Sequence, residues 1–143
     1  MKKKLYLLGL LLPCFAWANN SSTVIDSRQQ AFSNIEQQLE KAEDTLDGKE
    51  TNWGEITAIA TKLQSASETL KHSFPQGSQT DSKASEKIWQ DPEQFQQLMT
   101  KMDQGFIELY QASEQQNPSM AEEAIDSAQD TCRSCHRNYR SRW

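Results

Sequence analysis

The chain is 143 residues long, with 15 basic and 20 acidic side chains and a formal charge of −5 at neutral pH. Its length is that of a single domain. The excess of acid argues against nucleic acid and against anionic membrane surfaces as partners.

Residues 1–18 read as a cleaved secretory signal peptide and residues 19–143 as the folded domain. Lys2, Lys3 and Lys4 form a positive stretch, Leu5 to Leu12 an apolar one, and Ala16-Trp17-Ala18 a small-residue cleavage site. The apolar stretch is too short to span a bilayer. A lipidated form that keeps Cys14 is disfavoured by Pro13 just before it. Cleavage removes three lysines and no acids, leaving 12 basic and 20 acidic side chains and a charge of −8. A basic redox partner is compatible with that charge, and so is a solvated acidic surface with no partner at all. No other apolar run is long enough for a membrane segment, so a soluble protein is expected.

Val24 to about Leu46 reads as a first helix. Its apolar residues, Val24, Ile25, Ala31, Phe32, Ile35, Leu39, Ala42 and Leu46, fall at three-four spacing on one stripe. Gly48 is a stop signal. Asn52 is placed to cap a second helix, with Glu55 in capping-box position and a stripe of Trp53, Ile56, Ile59, Ala60, Leu63, Ala66 and Leu70. That helix ends before Phe74-Pro75-Gln76-Gly77-Ser78, where proline and glycine punctuate a turn. Residues 76–87, polar and rich in serine, read as a loop. Asp91 as cap and Pro92 at the first helical position open a third helix carrying Phe95, Leu98, Met99, Met102, Phe106, Leu109 and Tyr110. Gly105 within it should weaken it, and methionines at this spacing are ordinary core filling.

Asn117-Pro118 opens a fourth helix by the same logic, with Met120, Ala124, Ile125, Ala128, Cys132, Cys135, His136 and Tyr139 on its inward side. Cys132-x-x-Cys135-His136 reads as a c-type haem attachment site. On a helix the two cysteines are about one turn apart and His136 joins their face. One short piece of helix therefore offers two thiols for thioether links and an imidazole for the iron. A structural zinc site needs about four N or S ligands, and after export only these cysteines with His136 and His72 remain. A thioredoxin-like pair needs a βαβ neighbourhood, and no strand pattern occurs. A simple disulfide is conceivable in an oxidising compartment but leaves His136 without a role. His72 itself reads as a surface residue. Four helices with no strands predict an all-α, antiparallel four-helix bundle with covalently attached haem, bundle cores being common cofactor sites. Ala124 and Ala128 would leave room for the ring. Export together with this motif fits a bacterial periplasm.

The chain resembles the cytochromes c′, class II c-type cytochromes whose haem motif lies near the C-terminus. The resemblance runs from Arg28-Gln29 through Phe74-Pro75-x-Gly77-Ser78 and Ile88-Trp89-x-Asp91-x-x-x-Phe95 to Cys132-Arg133-Ser134-Cys135-His136-Arg137-Asn138-Tyr139-Arg140. It implies a periplasmic four-helix bundle, usually a homodimer through the first two helices, that binds NO and CO and serves electron transfer or protection from nitric oxide. It also implies one haem c, with thioethers at Cys132 and Cys135 and His136 as axial iron ligand. Arg28, Gln29 and Tyr139 would contact the haem, Arg28 reaching a propionate. Arg140 would lie on the proximal side, or else be a solvated arginine at the negative end of the helix dipole. The loop at Ser82 to Ala84 would cover a haem edge.

The resemblance further implies that Phe32, four residues after Arg28, faces the iron opposite His136. Phenylalanine cannot coordinate iron, and the mature chain has no methionine before Met99. The expectation is five-coordinate, high-spin iron beside an apolar ring, suited to NO and CO. Dioxygen usually needs a hydrogen-bond donor in the distal pocket, which Phe32 does not supply. Plain core packing of Phe32 is the alternative. A soluble electron carrier without a gas-binding role, served by an unidentified redox partner, is the competing function. An enzyme such as a peroxidase ranks last, because no distal acid–base group is evident.

Overall fold

Four long helices and one short one account for most of the described residues, 18–141 of the computed structural model, with side chains described from Ser22 onward. They are α1 (Ala18–Leu46), α2 (Trp53–Lys71), α3 (Lys87–Gln90), α4 (Pro92–Gln115) and α5 (Pro118–Tyr139). The expected signal peptide, apart from Ala18, lies outside the described residues. No strand occurs among them; Ala84 and Arg140 form one isolated antiparallel bridge. None of the helices is long and apolar enough to cross a membrane.

The caps explain where the helices begin. Asn52 accepts from the Glu55 N–H at 3.2 Å, and Asn117 accepts from the Met120 N–H at 3.2 Å, so each asparagine satisfies one otherwise orphaned donor. The rest of the expected capping box does not form, because Glu55 reaches Lys41 of α1 instead, at 2.7 Å. Asp91 stands at the cap of α4 but its side chain makes no capping bond there; Pro92 alone marks the start. Pro92 also keeps Asp91 out of helical conformation, at φ −132° and ψ 66°, and so separates α4 from α3, a turn of helix absent from the sequence reading. α4 ends with Gln116 in left-handed conformation, φ 51°, while the N–H groups of Gln116 and Asn117 return to the Ser113 and Ala112 carbonyls, the pairing of a Schellman motif. α1 begins six residues before the expected Val24, since a polar helix start carries no apolar periodicity to reveal it.

The long helices pack in ring order, α1 on α2, α2 on α4, α4 on α5 and α5 back on α1. This is the expected antiparallel four-helix bundle. Phe106, Ile56, Ile59, Leu63, Leu70 and Leu109 are fully buried at its centre. A second, smaller cluster of Ile88, Phe95 and Tyr139 lies beside it, and Phe74 and Met99 pack against both.

Gly105 has a reason to be glycine that the sequence did not disclose. A Cβ there would meet the Ala124 carbonyl oxygen at 3.1 Å and the Ala128 Cβ at 3.3 Å. Ala124 and Ala128, expected to leave room for the haem, instead lie against Gly105 where α4 presses on α5, Ala124 through its backbone and Ala128 through its methyl group. Neither lines the large cavity described below. Gly105→Val should therefore destabilise the protein by about 1–3 kcal/mol, the usual cost of overpacking. The check is a lower urea midpoint at unchanged slope; a midpoint equal to the parent's would mean that α4 can lift off α5 freely.

Candidate haem site

The last turns of α5 and the facing side of α1 enclose a cavity of about 410 Å³, within the range of small-molecule and cofactor sites. All eight residues singled out from the sequence line it: Arg28, Gln29, Phe32, Cys132, Cys135, His136, Tyr139 and Arg140. α1 contributes Arg28, Gln29, Phe32, Ser33 and Glu36, which share one face by i, i+4 spacing. Ser82, Lys83 and Ala84, expected near a haem edge, also line it.

Cys132 and Cys135 are half-buried and are not joined in a disulfide. Burial raises the Cys132 thiol above its usual range and, with the neighbouring Cys132, pushes Cys135 up to about 11. Both are neutral thiols at neutral pH rather than activated nucleophiles. His136 is exposed at the cavity wall rather than buried among the inward residues of α5, because the cavity adjoins solvent on that side. Tyr139 is buried, with its ring edge-on to Phe95 at 5.3 Å. Arg140 is exposed, and its backbone belongs to a strap: the Ser85 N–H donates to the Tyr139 carbonyl at 2.9 Å and the Ser141 N–H to the Lys83 carbonyl at 2.8 Å.

Arg28 is 4% exposed. Its Nη1 donates to the Ser73 carbonyl and to Ser78 Oγ, both at 3.2 Å, and its Nη2 donates to the Ser78 carbonyl at 2.8 Å. The guanidinium also lies 4.8 Å above the Phe74 ring. Burial lowers its pKa, yet an arginine stays charged. No carboxylate pairs with it among the described residues. Ser78 is brought to it by a tight turn in which the Ser78 N–H returns to the Pro75 carbonyl at 3.2 Å and Gly77 takes φ 87°, a conformation that favours glycine.

Phe32 lines the cavity, as the resemblance implies, and leaves the apolar stripe on which its spacing had placed it. It is 37% exposed and outside both apolar clusters, while its neighbours Ala31 and Ile35 are buried. Plain core packing does not describe it; its ring meets Phe74 edge-on at 6.3 Å. Met102 is buried in the bundle core, as expected, and Met99 is half-buried against it, but both also reach the cavity. His72 is exposed, 3.7 Å from Glu68, and lies outside the cavity. The sequence reading did not assign Phe74, Phe95 or Glu36 to the cavity wall. The first two stood in the Phe-Pro-x-Gly-Ser and Trp-x-Asp-x-x-x-Phe stretches, whereas Glu36 carried no signal beyond its spacing from Phe32.

Two thiols one helical turn apart, an adjacent imidazole, apolar walls and a buried cation without a protein counter-charge suit an anionic, planar, covalently held cofactor. With the bundle around it, this is a haem-attachment protein of the all-α type. A family model described as cytochrome c′ matches residues 23–140, and the chain belongs to that family. The family implies covalently bound haem c with its iron. Similar solved structures include cytochrome c prime from Shewanella frigidimarina (25% identity, TM-score 0.77, covering 85% of this chain and 96% of that one). Another is cytochrome c′ from Thermochromatium tepidum (17%, TM-score 0.77, 85% and 96%). A third is a variant cytochrome c′ from Alcaligenes xylosoxidans in reduced form (19%, TM-score 0.79, 85% and 97%). Comparison with curated protein sequences gives no match.

The Arg28 contacts generate a stability prediction. Arg28→Leu leaves the Ser73 and Ser78 acceptors without their donor and should cost about 2–4 kcal/mol, given what charged hydrogen bonds and unsatisfied buried groups are worth. Arg28→Lys should recover little of it, because an ammonium lacks the fork that serves two residues at once. Urea unfolding of both variants is the measurement. A lysine variant as stable as the parent would show that charge alone, without the fork, holds the loop.

Proposed function

We propose that the protein is a periplasmic haem c protein that binds small diatomic gases, NO and CO, and also passes electrons. When bound, the haem supplies an iron able to take such a gas or to change its oxidation state. In this reading Cys132 and Cys135 would hold the ring through thioethers, His136 would ligate the iron, and Arg28 would offer its unpaired charge to a propionate. Gln29, Tyr139 and Arg140 border the same ring. The observation that carries the reading is Phe32, a half-exposed ring on α1 that lines the cavity instead of the core. It gives the opposite wall neither a ligand nor a hydrogen-bond donor, conditions that favour NO and CO over dioxygen. A cytochrome c prime from Alcaligenes xylosoxidans has been solved in a ferrous variant with bound NO, which supports the same use of the fold here.

Catalysis is not part of the proposal. The basic group that α1 brings to the cavity, Arg28, is committed to Ser73 and Ser78 and is poorly placed to assist bond cleavage. An electron carrier whose iron is closed by sulfur has one observation in its favour, the presence of Met99 and Met102 on the cavity wall. The absorption spectrum of the reduced protein with and without CO separates the two readings. The expected result is a high-spin spectrum that shifts on adding CO, with faster CO association in Phe32→Ala. A sharp low-spin α-band indifferent to CO would favour the carrier, and an unchanged rate in Phe32→Ala would remove Phe32 as the gate.

Export and self-association belong to the same proposal. The Lys2–Lys4, Leu5–Leu12 and Ala16–Ala18 pattern supports export with cleavage after Ala18. A shallow groove between α1 and α2, lined by small and polar residues such as Ser27, Ala31, Ala66 and Thr69, leaves that face suited to a second copy. One relative of the fold is a cytochrome c′ with ligand-controlled dimer dissociation. Mass spectrometry checks both points. Under denaturing conditions the chain should begin at Asn19 and retain one haem, and under native conditions its mass should double. A haem-free chain or a strictly monomeric native mass would count against the corresponding part.

A further inference from the structure

Phe74 stands where three separate restraints meet. Its ring is edge-on to Phe32 at 6.3 Å on one side and to Phe95 at 4.8 Å on another, and the Arg28 guanidinium lies over it at 4.8 Å. Its backbone is held as well, since the Trp89 indole N–H donates to the Phe74 carbonyl at 3.2 Å. Pro75, next in the chain, narrows the conformations open to Phe74, and Arg28 grips Ser73 and Ser78 on either side. Phe32 has the opposite character. It is the more exposed ring, it belongs to neither apolar cluster, and its ring contact is Phe74. A loosely packed ring takes its rotamer from the neighbours it does have, and aromatic edges prefer to meet faces at this separation.

We propose that Phe74 is the positioning residue of the gas gate: it sets how far the Phe32 ring stands into the cavity, and so how readily a small neutral ligand enters. This rests on the reading of Phe32 as the gate. Arg28 acts one step further back, by fixing Phe74. Phe95 and Tyr139 continue the ring contacts to α5, three residues from His136, so the same packed series ties the gate to the helix that bears the axial histidine.

The test is CO association with the haem-loaded ferrous protein, measured by stopped flow in Phe74→Leu, in Phe32→Ala and in the double variant. Phe74→Leu keeps an apolar side chain but removes the ring edge that Phe32 meets. Its association rate should rise about three- to tenfold, the range that an aromatic pair's contact energy spans when it enters a barrier. In the Phe32→Ala background the same substitution should change the rate less than twofold, because the ring on which it acts is gone. Phe74→Tyr, which keeps the ring, should restore the parent rate. A general loosening of the fold would lower thermal stability without producing that dependence on Phe32. Should Phe74→Leu not fold, Phe74→Met makes the same comparison. An unchanged rate in Phe74→Leu, or equal acceleration with and without Phe32, overturns the role of Phe74 while leaving gas binding intact. Parent protein that takes up no CO overturns both.

Discussion

The cavity depends on one buried cation. Placing a guanidinium out of water is costly unless its donors are satisfied, and Arg28 satisfies three of them with the Ser73 carbonyl, Ser78 Oγ and the Ser78 carbonyl. These partners lie 45 to 50 residues away in sequence, on the segment that leaves α2. The segment cannot move off α1 without stranding both the charge and the carbonyls, so the two are held in register. Everything in that segment inherits its place from the clamp, above all Phe74 between its gripped neighbours. The fork geometry is what allows a single side chain to bind two residues of a loop at once.

Two kinds of force divide the molecule. Along the bundle the core is apolar, with Phe106, Leu109, Ile56 and Leu63 fully buried and Gly105 letting α4 come against Ala124 and Ala128. Around the cavity, polar and directional contacts join the ring contacts of Phe32, Phe74, Phe95 and Tyr139. Arg28 closes one side, and the pairing of residues 83–85 with 139–141 closes another. The cavity therefore sits at the seam between the main core and the small cluster of Ile88, Phe95 and Tyr139, where apolar packing alone would not fix the walls. A planar cofactor tethered to α5 at Cys132 and Cys135 would fill that seam, so that haem attachment and completion of the core become one event in the proposed protein.

Much of this could be read from the residues themselves. The apolar periodicities located all four long helices, Asn52 and Asn117 marked two of their starts, and the Cys-x-x-Cys-His spacing pointed to the haem. The cavity then gathered every residue named for it. What stayed hidden was hidden for physical reasons. A three-four stripe cannot separate Ala31, which is buried, from Phe32, which turns to the cavity, because adjacent positions lie only about 100° apart on a helix. The smallness of Ala128 belongs to its close packing on Gly105, a residue about twenty positions away, and local sequence carries no trace of that pairing. The partners of Arg28 belong to a loop whose fold depends on Gly77 and on contacts from α1, so they could be seen only once both were in place.

Charge around the cavity runs opposite to the charge of the whole chain. α5 carries Glu122, Glu123 and Asp126 in its first half and Arg133 and Arg137 towards its end, and Arg137 in the last turn suits the negative end of the helix dipole. The cavity wall adds Arg28, Lys83 and Arg140 against one carboxylate, Glu36. A local excess of positive charge suits the anionic edge of a haem and would present a positive rim to a redox partner, although the chain as a whole is acidic. NO and CO are neutral and feel little of that field, so steering by charge, which can speed the encounter of charged ligands by orders of magnitude, does nothing for them. For such ligands the barrier to entry has to be steric. In the proposed gas-binding role it would fall to the rings of Phe32 and Phe74, and the basic rim that is irrelevant to a gas would be left available to a redox partner.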